Sequence, residues 1–336
     1  MRGRPIRIAV IVGVAIFVAP VARLDAYLKL GARVGTRTVT LAWDRFPVRY
    51  FITDRGVPGV SAAQFRGAVD RAFATWGGVS SARVSSEFVG FTAAEPFQDD
   101  NMNVLGLQNR PELERVLGAT TFLIDTVDGR IVESDVFFNS AFAWSVAPGG
   151  EPGRQDLESI AVHEIGHLLG LGHSAIGETE LLGGGGRRVI AAESVMFPIA
   201  FSAGRIESRT LRADDIAGIS DIYSAGDFRS RTGSISGRIR HAGGGVFGAH
   251  VTAFDPRTGR LVSNFTLDDE GTFVIAGLEP GPHIVRVEPL DDGDLDSYFD
   301  EPDRVQVDFG VTFLDRLAVV PRGGTTPRLE ITVRAK

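Results

Sequence analysis

Among its 336 residues the chain has no cysteine. That absence removes disulfide scaffolds, thiolate zinc sites, iron–sulfur clusters and cysteine nucleophiles together. A basic surplus is also lacking: 35 Lys and Arg stand against 42 Asp and Glu, a net charge of −7. No nucleic-acid partner is therefore expected. Histidine is scarce, six in all, and none precedes His163. Any metal must be held by His, Asp or Glu, and by few imidazoles. The apolar run Ile8–Ala22 falls short of the roughly 20 residues that cross a bilayer as a helix. What remains is ordinary for a globular protein, with 43% hydrophobic and 23% charged residues, and the length suits about two domains.

Arg2, Arg4 and Arg7 stand at and just before the start of that run, with Ala19, Pro20 and Ala22 near its end. Residues 1–22 are predicted to be an export signal, or a signal anchor if they are not removed. Either outcome puts the rest of the chain outside the cytoplasm, secreted or periplasmic. Contact with a membrane is expected only through an uncleaved 1–22. Residues 23–35 read as a short linker. Strands are expected over Thr38–Trp43 and Val48–Ile52, split by Pro47. Ser61-Ala-Ala-Gln64 is a capping-box pattern, and Phe65, Val69, Phe73 and Trp76 follow at helical spacing. Val116–Ile124 and Ile131–Phe138 read as strands, the stretch from Asp156 to Leu169 as a helix, and 183–186 as a glycine loop. A third helix over Arg212–Tyr223 groups Ile216, Ile219, Ile222 and Tyr223 on one side. Residues 225–232 look like a polar linker. From 233 to 336, short alternating segments between Gly, Pro and Asp turns suggest a separate antiparallel β-sandwich.

Chemistry concentrates in His163-Glu164-Ile165-Gly166-His167-Leu168-Leu169-Gly170-Leu171-Gly172-His173. At 100° per residue, His163 and His167 lie about 400° apart and share a helix face. Glu164 sits beside that face, within reach of a water between the imidazoles. On a continued helix His173 would point elsewhere, so Gly170 is expected to turn the chain back with a positive φ. Three imidazoles and one open position make a catalytic zinc site. By chance an H-E-x-x-H arises in roughly one such chain in a hundred or fewer, before Gly170 and His173 are counted.

This stretch resembles the metzincin zinc-peptidase signature, and Ser174 after the last histidine is similar to the matrixin branch. The resemblance implies an α+β catalytic domain over 36–224: a twisted mixed sheet, three helices and one zinc in a cleft. It implies a metalloendopeptidase with Glu164 as general base and His163, His167 and His173 as ligands. Ser194-Val195-Met196-Phe197-Pro198 looks like the matrixin Met-turn, with Met196 beneath the ligands. Phe197, Pro198 and Ile199 would then wall the pocket for the side chain after the cut. Val116–Phe122 would be the edge strand on which an extended protein or peptide substrate adds. Asp214 and Asp215 match the closing helix and would be buried, bonding to the Met-turn and the N-terminal region. Two features depart from the family. Phe137 stands where animal matrixins carry a ligand for a second, structural zinc, and the latency cysteine of animal proenzymes has no counterpart here.

Residues 233–336 resemble the carboxypeptidase regulatory-like, transthyretin-like β-sandwich through Gly237, Ala249-x-Val251, Gly271-x-Phe273 and Gly277-Leu278-x-Pro280-Gly281. His241, His250 and His283 read as structural or surface residues. Asp292, Asp294 and Asp296 have a calcium-loop spacing, but Ser297 and Asp303 replace its Gly and Glu, which favours a solvated acidic turn. A calcium requirement is left open, as is the oligomeric state. The rival readings are a binding or adhesion module with an inactive zinc domain, and a tethered processing protease with one dedicated substrate.

Overall fold

The computed structural model describes residues 6–11, 29–34, 37–183, 187–291, 293–299 and 301–336. The export-signal reading falls on 1–22, of which 1–5 and 12–22 lie outside the described residues. Residues 23–28 and 35 of the expected linker and 184–186 of the glycine loop lie outside them as well; the described part of that linker is corrected, because Gly31–Val34 is a strand paired with Arg37–Thr40. Ile6–Ile11 is a strand.

Six strands form the N-terminal sheet, in the order Ile6–Ile11, Gly118–Ile124, Ile131–Asn139, Val104–Gln108, Val48–Thr53, Ser86–Thr92. Gly118–Ile124 runs antiparallel to both of its neighbours, and the other pairings are parallel. Every residue of Gly118–Ile124 is buried. The edge read as open for substrate therefore has a strand beside it, with Ile11 opposite Ala119 and Ile6 opposite Ile124.

Helix α1 spans Ala62–Gly77. Ser61 and Gln64 close the capping box reciprocally, so two of the first-turn N–H groups have partners. Its apolar stripe Phe65, Ala68, Val69, Ala72, Phe73 and Trp76 is buried, each large side chain contributing about 1.5–3 kcal/mol by leaving water. The stripe packs on helix α2, Leu157–Leu168, where Trp76 Nε1 donates to Val162 O at 2.8 Å. Where animal matrixins would carry the second zinc, Phe137 is buried edge-on to Phe97. Nearby carboxylates hold the adjoining loop: Asp135 accepts from Phe97 N and Val104 N, and Glu133 from Asp100 N and Asn101 N.

The C-terminal strands fall in two sheets. One holds Gly233–His241, Gly244–Gly245, Thr272–Leu278 and Leu329–Thr332; the other holds His250–Asp255, Arg260–Phe265, Gly281–Glu288, Thr312–Phe313 and Ala318–Val320. The expected all-antiparallel arrangement needs one correction, because Gly233–His241 pairs in parallel with Leu329–Thr332. The long gap between these strands in sequence allows it, since parallel partners need a distant crossover.

The region before these sheets also differs from expectation. The supposed linker contains helix α4, Phe228–Arg231, after α3, Ala213–Ile222. Phe228 is buried, so the segment is anchored by packing. Helix α3 packs against Arg260–Phe265 and Thr272–Leu278, so closely that a Cβ on Gly277 would meet Ala217 Cβ at 2.9 Å. Ile219 and Tyr223 are buried as the periodicity predicts, whereas Ile216 is exposed. No helix among the described residues is long and apolar enough to cross a membrane.

Candidate metal centre and cleft

Helix α2 begins at Asp156, whose carboxylate accepts from Ser159 N and Ser159 Oγ. Arg209 closes on the same carboxylate from Nε and Nη2, which fixes the helix entrance with a two-pronged charged contact. From this start His163, Glu164 and His167 arrive on the buried side.

The helix ends by glycine geometry. Gly170 has φ +94°, and a Cβ there would meet Leu41 O at 2.4 Å. The last carbonyls of the helix do not go unpaired. Trp43 Nε1 donates to Leu168 O, Tyr223 Oη to Leu169 O, and Leu30 N to Gly170 O. The returning chain delivers His173 to the other two histidines.

The three imidazoles share one hydrogen-bonding logic. His163 Nδ1 lies 2.8 Å from Val195 O, His167 Nδ1 2.8 Å from Leu171 O, and His173 Nδ1 2.5 Å from Ser297 O. A carbonyl oxygen only accepts, so each Nδ1 carries the proton and each Nε2 presents a lone pair. His167 Nε2 is 3.1 Å from the Nε2 of both His163 and His173. Lone pairs facing each other at those two distances repel unless a cation sits between them. Tetrahedral zinc with ~2.0–2.1 Å bonds needs nitrogens about 3.4 Å apart, so the donor set fits. Burial pushes His163 down to about 4 and His173 down to about 3, and holds His167 well below its ordinary value. The triad is neutral and ready to ligate. Among the described residues it is the one such cluster of potential ligands; His250 instead pairs with Glu288 at 2.9 Å.

Glu164 lines the same cleft. Burial raises its carboxyl to about 8, opposed by a hydrogen bond from Thr120. Thr120 Oγ1 lies 2.8 Å from Glu164 Oε2, and a Cβ on Gly118 would stand 3.0 Å from Oε1. Thr120 and Gly118 thus shape the seat of the carboxylate, a role that sequence reasoning missed because strand pattern alone does not say which strand residue faces α2.

The residues around Met196, read from the sequence as a Met-turn, make several contacts. Met196 is fully buried, and a Cβ on Gly166 would strike its sulfur at 2.3 Å, so the thioether lies directly on α2 at the turn that carries His163 and His167. Val195 O holds His163, and Met196 O accepts from Ser174 N. Asp215 is buried and accepts from Ser194 Oγ, Val195 N, Met196 N and Arg212 N, as expected for a residue bonding the Met-turn. The companion expectation for Asp214 is corrected. Its carboxylate accepts from Ser174 Oγ at 2.5 Å and from Ser263 N at 2.8 Å. It joins the third-ligand loop to the C-terminal sheets, not to the N-terminal region. Burial raises both carboxyls, Asp214 to about 8.

Phe197, Pro198 and Ile199 line a cleft of about 750 Å³ with Leu117, Phe142 and Ile160. Gly293, Asp294 and Ser297 of the C-terminal region line it too. The acidic turn read as solvated therefore borders the cleft, although Asp294 and Asp296 are themselves exposed.

Residues 42–182 match the Matrixin (Peptidase_M10) family model. The match contains the three histidines and Glu164 and stops before Met196, Asp214, Asp215 and the C-terminal sheets. Curated relatives include the metalloendoproteinases 5-MMP, 2-MMP and 4-MMP of Arabidopsis thaliana, 40%, 38% and 31% identical over 27%, 26% and 32% of this chain. The aligned stretches span only 20%, 18% and 26% of those relatives' own lengths. A solved structure described as the Bacillus anthracis TIE protein aligns over 31% of this chain and 17% of its own, with 17% identity and a TM-score of 0.19.

Proposed function

We propose that this chain, with its matrixin domain at 42–182, is an exported zinc-dependent endopeptidase. The observation that carries the reading is the triad itself: three neutral imidazoles, each with Nδ1 tied to a carbonyl and Nε2 turned to a common point beside Glu164. His163, His167 and His173 would hold the metal. Bound zinc supplies Lewis-acid activation of water and of the scissile carbonyl. Glu164 takes the proton from the attacking water and returns it to the leaving amine, a role worth typically 10²–10⁴-fold. Its raised affinity for protons suits that exchange, and Thr120 keeps Oε2 aimed.

Substrate preference follows from the cleft lining. Phe197, Pro198, Ile199, Ile160 and Leu117 offer apolar surface, which favours a large apolar side chain immediately after the cut. An extended substrate would pair with Gly118–Ile124, so Ile6–Ile11 must leave that edge first; loss of residues 1–22 on export would free it. The test is a diverse peptide library treated with zinc-loaded protein lacking residues 1–22, with Glu164→Ala as control. Cuts before large apolar residues that vanish in the control are expected. Zinc binding with no cleavage would instead favour the binding-module reading.

A further inference from the structure

Of the three carbonyls that fix the histidine tautomers, one lies within the histidine motif, Leu171, and a second, Val195, is 32 residues from His163. The third is Ser297 O, 124 residues from His173 in sequence. It sits in a short turn, Leu295–Ser297, closed by Ser297 N donating to Asp294 O. The next residue, Tyr298, stands edge-on to the His173 ring, with centroids 6.4 Å apart at 79°. Tyr298 and Phe299 are buried with Phe265, Leu290 and Val305, and Ala175, two residues after His173, belongs to the same cluster. The Asp214 bridge from Ser174 to Ser263 runs beside it. The turn is thus held rigidly from the C-terminal side, and the histidine loop from both.

We propose that the turn Asp294–Tyr298 of the C-terminal region is a positioning element of the metal centre, fixing the tautomer and orientation of His173 through the backbone carbonyl of Ser297. This rests on the zinc reading of the triad. It makes the C-terminal sheets part of the site, not an appended module. Outer hydrogen bonds of this kind are worth 10–100-fold in metal affinity. Ser297 acts through its backbone, so the side chain to remove is the one that seats the turn, Tyr298.

The experiment measures Zn²⁺ affinity of the full chain by chelator competition and records Co²⁺ absorption as a report on ligand geometry. Tyr298→Ala is expected to weaken Zn²⁺ binding by roughly 10–100-fold and to alter the Co²⁺ spectrum. Phe309→Ala, which opens a buried site elsewhere in the C-terminal region, is expected to lower the melting temperature and leave both metal readouts as in the parent. A folded Tyr298→Ala that binds Zn²⁺ like the parent overturns the proposal, as does an equal affinity loss in Phe309→Ala. If Tyr298→Ala does not fold, the parent's imidazole N–H proton signals decide. A His173 Nδ1–H that is exchange-protected and shifted downfield supports the bond to Ser297, and its absence beside protected His163 and His167 signals overturns it. A parent chain that binds no Zn²⁺ at all would refute the zinc reading itself, which is a separate outcome.

Discussion

His163 and His167 are placed by one helical turn, while His173 is placed by a glycine reversal and then held from another sheet system. The first pair shares a face through α2 alone, because residues four apart point the same way, although His163 also takes Val195 O as the partner of its Nδ1. His173 depends on Gly170 at φ +94°, on Ser297 O, and on Asp214 tying down the neighbouring Ser174. One part of the histidine cluster is thus set by local helix geometry, and the other by contacts from distant parts of the chain.

Breaking the local half should have the largest effect. Glu164→Ala is expected to keep zinc and lose 10²–10⁴-fold in peptide hydrolysis, whereas His167→Ala should lose both; metal content and turnover measured together separate the two. An active Glu164→Ala would remove Glu164 as the base. Next in size comes Asp215→Ala, which removes the acceptor of Ser194 Oγ, of the buried Val195 N–H and of Arg212 N. A stability loss of about 3–5 kcal/mol is expected, read by denaturant unfolding; a loss under ~1 kcal/mol would mean that water replaces the carboxylate.

Gly170→Ala separates the halves directly. A side chain in this backbone region costs about 1–3 kcal/mol, and the close approach of Leu41 O adds to it. Zinc affinity should fall while far-UV circular dichroism keeps its helical signal, since α2 ends at Leu168 before the turn. Full zinc affinity in this variant would show that His173 reaches the site without the reversal. A smaller effect is expected at the sheet edge. The chain lacking residues 1–22 should cleave extended peptides several-fold faster than the full chain, because Ile6–Ile11 no longer pairs with Gly118–Ile124. Equal rates would mean that substrate does not use that edge.

The same division governs what was legible in the sequence. Helices α1 and α2 were readable nearly to the residue because Ser61 and Asp156 are caps, and caps act within one turn. The grouping of the three histidines was readable because their spacing encodes a helix and a glycine return. Long-range partners were not. Asp214 was expected to be buried, but its partner Ser263 N is a backbone group with no side-chain signature. Ser297 was noticed only as a misfit in a calcium-like spacing, since its acting atom is a carbonyl that every residue carries. Phe228 was hidden in a polar stretch whose composition resembles a linker, and only packing against the sheets reveals it as an anchor. The parallel pairing of Gly233–His241 with Leu329–Thr332 depends on a register that alternation alone does not set.

The finest test of the comparison is protonic. Burial holds His163 near 4, His173 near 3 and His167 well below its ordinary value, and it holds Glu164 near 8. In the metal-free protein at pH 6 all three imidazoles are therefore already neutral, while the Glu164 carboxyl is protonated. Imidazoles with an ordinary value of ~6.5 would together shed about two protons on binding zinc at that pH. Here they have none to shed, and only Glu164 releases one as the cation draws its carboxyl into the ionised form. Zinc uptake at pH 6, followed by calorimetry in two buffers of different ionisation enthalpy, should release about one proton in the parent and close to none in Glu164→Gln. Release of two or more protons from Glu164→Gln would mean that water reaches the imidazoles. In that case the half of the site set from distant parts is the place to look, because His173 depends on the turn at Ser297.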